Sequence, residues 1–215
     1  MIDLGDNNPL ASRRILRMAA FASLATLKDG LPYASLVTPA TAHDGQPLLL
    51  LSKLADHTQN LLADNRASLL FALPEGHANP QTAPRVTAMG RLQPSDLMMD
   101  RARYLARNPG AALYAGFADF SIWRMTVERF HFVGGFGRAV WLEAKHVLLD
   151  QKIANLFAES EGKLIERFSQ KQTGVCAVDA DGIDVGGQDG GVKRLLFARP
   201  LASPDEALDA PFLEG

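Results

Sequence analysis

The stretch FASLATLKDGLPYASLVTPATAHDGQPLLLLSK covers Phe21 to Lys53 and indicates how the chain folds. It contains two Asp-Gly pairs, Asp29-Gly30 and Asp44-Gly45, and this dipeptide tolerates the positive φ angles of a tight hairpin turn. Because the turns are short, the strands that they join should pair as an antiparallel meander and not as a βαβ array. The predicted strands are Phe21–Leu27, Pro32–Ala40 and Pro47–Ser52.

The third of these strands has no polar face, since four consecutive leucines run from Leu48 to Leu51. A strand with one solvated face alternates apolar and polar residues, whereas a strand that is buried on both faces is apolar throughout. We therefore expect Leu48–Leu51 to form part of a barrel wall with packed side chains on both sides.

The remaining sequence predicts further strands and helices. A helix begins near Asn8-Pro9, and a second is expected over Leu54–Asn65. After Arg138 the pattern changes to a long helix and a two-stranded hairpin. We therefore divide the chain into a first domain, residues 1–148, and a small α+β domain, residues 149–215. The predicted later strands of the first domain are Ala67–Leu73, Arg85–Gln93 and Ile122–Val133. The predicted elements of the second domain are a helix over Asp150–Gln170 and strands Gly174–Val178 and Val192–Phe197.

Composition excludes several classes of function. The chain has 22 Lys plus Arg and 24 Asp plus Glu, a formal net charge of −2, and no long basic run, which argues against nucleic acid as a partner. No apolar run approaches the roughly 20 residues of a membrane helix. The N-terminus lacks an apolar signal region, so a cytoplasmic location is expected. The single cysteine, Cys176, is expected to be buried in a strand, and the five histidines have no metal-binding spacing.

A group of polar residues follows the leucine strand directly. Ser52 and Lys53 end the strand, and His57, Thr58 and Asn60 lie in the first part of the next helix. The first turn of a helix has free N–H groups and a partial positive charge, which together can bind an anion such as a phosphate. Arg85 begins a later strand and is expected to approach the same anion. A simpler alternative also remains, in which Ser52 and Asp56 only cap the helix while Lys53 and Arg85 are solvated.

Several motifs of the first domain resemble the pyridoxamine 5′-phosphate oxidase-like, FMN-binding split-barrel superfamily, and within it the haem-utilisation (HugZ-like) branch. They occur in the order of that superfamily over about residues 10–140. The motifs are the PYAS strand, LSKLADHTQNL from Ser52, RASLLF from Arg66, PRVT around Arg85, and VGGFGRA from Val133.

The resemblance implies an α+β fold that is mainly β: a six-stranded antiparallel split barrel with a small C-terminal domain. It also implies a homodimer that holds flavin mononucleotide (FMN) at the subunit interface and acts on a small-molecule substrate as an oxidoreductase. Ser35 occupies a position where the oxidases tend to carry a phosphate-binding arginine. The residues implied to lie nearest the cofactor are Tyr33, Ser35, Ser52, Lys53, His57, Thr58, Asn60 and Arg85.

The C-terminal segment resembles the small domain that is appended in the haem-utilisation branch, which makes haem the alternative cofactor. Members of that branch commonly carry histidines in the first helix of this domain. Here that helix reads IANLFAESEGKLIERF and has none. Three hypotheses therefore stay open: an FMN-dependent flavoprotein, a haem-binding protein of the same fold, and a binding module without a cofactor.

Overall fold

The computed structural model describes residues 4–73, 76–135, 137–187 and 190–213. Within these ranges the first domain forms one antiparallel sheet of eight strands, and the C-terminal part forms a second sheet of three strands. The strands of the first sheet are β1 (Ala22–Lys28), β2 (Leu31–Val37), β3 (Ala40–Thr41), β4 (Pro47–Ser52), β5 (Arg66–Ala72), β6 (Arg85–Pro94), β7 (Phe120–Val133) and β8 (Ala139–Glu143). Those of the second sheet are β9 (Val175–Asp179), β10 (Gly182–Gly186) and β11 (Val192–Leu196).

Five α-helices accompany these strands in the described part of the chain. The first begins one residue after its cap, Asn7, whose side-chain oxygen accepts a hydrogen bond from the backbone N–H of Leu10. The longest is capped in the same way by Asp150, which accepts from Lys152. The helices are α1 (Asn8–Met18), α2 (Asp56–Ala63), α3 (Met98–Arg107), α4 (Ala144–Val147) and α5 (Gln151–Ser169).

The first sheet has the strand order β2-β1-β5-β6-β7-β4-β3, and β8 pairs with β7 off this path. The sheet divides at the long strand β7. The first residues of β7 pair with β4, and its last residues pair with β8. The six predicted strands are all present, so the predicted split barrel of the α+β class is confirmed. Two short strands, β3 and β8, add to them.

Both Asp-Gly turns form as predicted. Asp29 and Gly30 have φ angles of 52° and 80°, and Gly45 has a φ of 92°. The strand predicted over Pro32–Ala40, however, is divided into β2 and β3. Pro39 lies between them, and a proline cannot donate a ladder hydrogen bond.

The four leucines of β4 are all buried, as predicted. Leu49 and Leu51 pack into the barrel core with Phe71, Phe130 and other apolar residues. Leu48 and Leu50 point the opposite way, into a cluster that includes Tyr104 of α3. The strand is therefore packed on both faces.

The predicted C-terminal hairpin is wrong, because the strands predicted at Gly174–Val178 and Val192–Phe197 do not pair with each other. β10 lies between β9 and β11 and pairs with both. The segment that forms β10, GIDVG, is short and rich in glycine, which hides its strand character in the sequence. Cys176 lies in β9 as expected, but it is half-buried where we expected it to be buried. The division at residue 148 stays a prediction.

One face of the first sheet covers the barrel core, while the other face is left open within this chain. Directly paired residues of an antiparallel sheet point to the same face. Six such residues, one on each of six neighbouring strands, form a continuous line across the open face, which we call the outer row. The outer row consists of Leu36, Ser23, Leu70, Thr87, His131 and Trp141.

Candidate functional site

The corner between β4 and α2 contains the first two predicted site residues. The backbone N–H of Lys53 donates to the backbone oxygen of Asp119 at 2.7 Å, and the Ser52 hydroxyl donates to the Asp119 carboxylate at 2.6 Å. The backbone N–H of Leu54 donates back to the Ser52 hydroxyl oxygen at 3.1 Å. The Lys53 side chain is exposed. Ser52 therefore stabilises the turn before α2 but does not cap the helix, contrary to the simpler alternative above.

Helix α2 begins at Asp56 after Ala55, and within the described ranges no side chain caps it. Asp56 instead forms an exposed ion pair with Lys28 at 2.7 Å. Thr58 and Asn60 are buried against β1, where the Asn60 amide donates to the Thr26 hydroxyl at 3.0 Å. The Thr58 hydroxyl has no hydrogen-bond partner among the described residues. In the first turn of α2 the backbone N–H groups of Thr58 and Gln59 donate to the Ala55 oxygen, and within the described residues no side chain accepts from the turn.

His57 lies at a cleft of about 350 Å³ next to this corner. Most of the lining is apolar or aromatic, and the rings of Tyr114 and Phe120 contact each other there with centroids 5.0 Å apart. Burial lowers the pKa of His57, and this effect outweighs Asp56, which raises it. The imidazole is therefore neutral at neutral pH. The lining residues are Leu36, Val37, Thr38, Leu49, Leu50, Leu51, Ser52, Ala55, His57, Tyr104, Tyr114 and Phe120.

Tyr33 and Ser35 lie on β2, an edge strand of the sheet. Tyr33 is connected to α2 through Lys28, whose ammonium group lies 5.9 Å from the centre of the Tyr33 ring and also pairs with Asp56. Ser35 pairs with Leu24 of β1, and its hydroxyl is buried without a partner in the part of the chain that the structure describes. The structure therefore brings Tyr33 near α2 and leaves Ser35 on the buried side of β2.

Arg85 is not part of this corner. Ser52 pairs with Phe120 at the first residue of β7, whereas Arg85 pairs with Val133 at the last residue of the same strand. β7 has 14 residues, and an extended strand of that length spans on the order of 45 Å. The Arg85 guanidinium donates instead to the backbone oxygens of Gln81 and Ala83. Within one chain the structure does not bring Arg85 to Ser52 and Lys53, and a shared anion site with Arg85 stays a prediction.

Sequence reasoning missed Asp119 and the aromatic walls of the cleft. Asp119 is a single acidic residue between two phenylalanines, and Tyr104 and Tyr114 come from α3 and the turn after it. No spacing rule connects these residues to Ser52, since they meet it only through the pairing of β4 with β7. The sequence contains one weak signal for Asp119, which is that this single carboxylate directly precedes the long strand β7.

Comparison with protein families matches residues 5–147 to the family described as CREG, beta-barrel. The match covers well over half of the chain. The chain belongs to the CREG β-barrel family. This assignment confirms the resemblance to the split-barrel superfamily of the pyridoxamine phosphate oxidases. As a member of the CREG β-barrel family, the protein is expected to use the barrel as a scaffold, while its particular ligand depends on the residues of the site.

Among curated proteins, a chloroplastic heme oxygenase named HOZ from Arabidopsis thaliana is 36% identical to this member of the family over 115 residues. That alignment covers 52% of this chain and 34% of the relative, so the chain spans about a third of the relative's length.

Two solved structures share the fold over nearly the whole chain. A protein of unknown function from Agrobacterium tumefaciens has a TM-score of 0.77 at 24% identity, with coverage of 94% of this chain and 92% of that chain. A heme binding protein from Mycobacterium smegmatis has a TM-score of 0.63 at 27% identity, with coverage of 96% and 94%. Both comparisons extend beyond the barrel into the C-terminal part.

Neither a metal cluster nor a membrane span is found among the residues described. No group of three or more His, Cys, Asp or Glu side chains lies close enough to hold a metal ion in that part of the chain. No described helix has the length and apolarity needed to cross a membrane.

Proposed function

We propose that this member of the CREG β-barrel family is a haem-binding protein and that the cleft beside His57 receives the haem. The relative from Mycobacterium smegmatis is named for heme binding and aligns over nearly its whole length. The Arabidopsis relative is named as a heme oxygenase. These two names support haem over other ligands of the fold.

The observation that carries this proposal is a neutral, half-buried imidazole at the edge of an apolar cleft. Iron in haem is commonly held by a neutral histidine nitrogen, and the lowered pKa of His57 keeps this side chain in that form. The cleft volume of about 350 Å³ lies within the usual range for small-molecule pockets, about 300–1,000 Å³. Leu36, Tyr114 and Phe120 provide apolar surface against which a flat macrocycle can pack.

FMN is the second candidate, and one observation favours it. Within the described residues no side chain caps α2, Lys53 is exposed three positions before its first residue, and the first turn of a helix can bind a phosphate. FMN would supply redox chemistry, which would make the protein an oxidoreductase with a small-molecule substrate. One feature opposes it, since the Ser52 hydroxyl already donates to Asp119.

We also propose a homodimer that forms through the outer row. Leu36, Leu70 and Trp141 of this row are 74%, 39% and 56% exposed, and a run of exposed apolar side chains along one face is typical of an interface. Arg85 lies on β6, two residues before Thr87, and therefore on the same face of the sheet. A second copy that covers this face would bring its own Arg85 toward the site, so the predicted cofactor role of Arg85 depends on the dimer.

A haem titration tests the proposed function. We expect the purified protein to shift the Soret band of added haem, and we expect His57→Ala to weaken the binding at least about tenfold, because the iron loses its ligand. His146→Ala is the matched control, since His146 lies exposed on α4 and should leave the titration unchanged. An unshifted Soret band, or equal effects of the two substitutions, would contradict the proposal. Absorption near 450 nm in the purified protein would favour FMN.

A further inference from the structure

Asp119 is held at the β4–α2 corner through both its backbone and its side chain. Its backbone oxygen accepts from the Lys53 N–H at 2.7 Å, and its carboxylate accepts from the Ser52 hydroxyl at 2.6 Å. A hydroxyl group has one proton to donate. As long as Ser52 donates that proton to Asp119, it cannot donate to a bound ligand.

The charges at the corner are also unevenly arranged. The carboxylate of Asp56 is compensated by Lys28 at 2.7 Å. The carboxylate of Asp119 lies instead next to a hydroxyl group, and within the described residues no arginine or lysine forms an ion pair with it. Thr58, in the first turn of α2, contributes a fully buried hydroxyl group that has no partner among those residues. The corner therefore combines the uncapped first turn of α2, which can bind a phosphate, with a negative charge that repels one.

From this arrangement we propose that Asp119 is a specificity-determining residue that selects against phosphorylated ligands at the β4–α2 corner. The inference rests on the proposed function in one respect, since it explains why the site would take haem and not FMN. A like charge a few ångströms from a phosphate weakens its binding at a protein surface. The same carboxylate also withholds the Ser52 proton, so both effects act in one direction.

The test measures FMN affinity by quenching of flavin fluorescence in the wild-type protein and in Asp119→Asn. This substitution keeps the size of the side chain and removes the charge. We expect FMN to bind Asp119→Asn at least about tenfold more tightly than wild type. Haem affinity should change much less, because the Asp119 side chain is not among those that line the cleft.

Two further variants show whether the gain arises through Ser52. Ser52→Ala combined with Asp119→Asn should lose a clear part of the gain, because no hydroxyl group is then released to the phosphate. Asp56→Asn removes a carboxylate from the same corner and is the matched control. It should have a smaller effect, since Asp56 is already paired with Lys28.

Equal FMN affinity in the wild type and Asp119→Asn would overturn the inference, provided that thermal unfolding shows both to be folded. If Asp119→Asn is unstable, Asp119→Ser provides the same comparison with a smaller neutral side chain. The haem titration separates the two proposals. Haem binding without any gain of FMN affinity retains the proposed function and removes the role of Asp119. A gain of FMN affinity in Asp119→Asn, in a protein that does not bind haem, retains the role of Asp119 and contradicts the proposed function.

Discussion

Gly90 illustrates how a single residue permits the barrel to close. It lies on β6 at the point where the register with β7 shifts, which is a β-bulge. A Cβ atom at this position would lie 2.0 Å from the backbone oxygen of Thr126 and 2.9 Å from the Cα atom of Val127. Both contacts involve backbone atoms, which cannot move aside as a flexible side chain can. Any larger residue would therefore push β6 and β7 apart.

Replacement of Gly90 by alanine should destabilise the protein, whereas the same replacement at Gly162 should stabilise it. Gly162 lies inside α5, and a Cβ atom there would meet nothing within 4 Å. We expect Gly90→Ala to lower the free energy of unfolding by about 2 kcal/mol or more, through overpacking. Gly162→Ala should raise it by about 0.5–1 kcal/mol, since alanine favours the helix. Urea unfolding of both variants checks the prediction, and a Gly90→Ala protein as stable as wild type would refute the close contact.

At the scale of secondary-structure elements, buried ion pairs join helices of the first domain to the C-terminal part. Arg13 and Arg17 of α1 contact Asp181 at 2.9 Å and 3.2 Å. Arg103 of α3 contacts Asp179 at 2.7 Å and Glu161 of α5 at 2.6 Å. Because an unpaired buried charge is strongly unfavourable, these pairs stabilise only the arrangement in which α1 and α3 pack against the C-terminal sheet.

The network predicts a loss of stability in acid. Burial raises the pKa of Glu161, but Arg103 and His43 outweigh this effect and hold the pKa at about 2. A carboxylate whose pKa is lowered by folding stabilises the protein above its unfolded value and loses that contribution as pH falls toward the folded value. The free energy of unfolding should therefore decrease from about pH 5 to pH 2, by up to about 3 kcal/mol from Glu161.

Urea unfolding at several pH values, with the wild type and Glu161→Gln, measures this contribution. The variant should be less stable at pH 6 and should show a shallower pH dependence. Some slope should remain, because the surrounding arginines also hold the pKa of buried Asp179 well below its usual range, against the effect of burial. Parallel curves for the two proteins would exclude a role for Glu161 in the acid response.

At the scale of the whole molecule, the outer row is the surface through which we propose that two copies of the chain pair. The barrel core lies on the other face of the sheet. On the outer face, His131 and Trp141 contact each other with ring centres 4.6 Å apart, and the Arg129 guanidinium lies 5.1 Å from the centre of the Trp141 ring. Aromatic residues and arginine are enriched at protein interfaces, so this cluster supports a contact between copies of the chain on this face.

Introduction of a charge into the outer row should therefore separate the proposed dimer. We expect Trp141→Asp to be monomeric at micromolar concentration, because an unpaired carboxylate is costly to bury. Leu113→Asp is the matched control, since Leu113 is 84% exposed in the turn after α3 and is not part of the outer row. Light scattering after gel filtration gives the masses. A wild-type monomer, or dissociation by both substitutions alike, would place the interface elsewhere or remove it.

The sequence alone determined the features that depend only on residues close together along the chain. The Asp29-Gly30 and Asp44-Gly45 turns need only a local backbone conformation, and the leucines of β4 need only a strand that is buried on both faces. The turns and the family resemblance therefore could be predicted. The three-strand meander was wrong, because β2 pairs with β1 at one end of the strand order, whereas β4 pairs with β3 and β7 at the other end. The same reasoning failed for β8 and β10, because short strands rich in glycine or exposed residues form only when a longer neighbour is available to pair with them.

The tertiary structure decided which residues meet at the site. Arg85 and Ser52 both pair with β7, but at opposite ends, and no local pattern in the sequence distinguishes this from a shared corner. Asp119 reaches Ser52 for the same reason, since the register between β4 and β7 brings together residues that lie 67 positions apart. Strand register over such separations results from the packing of the whole barrel core, and for this reason a local reading of the sequence does not contain it.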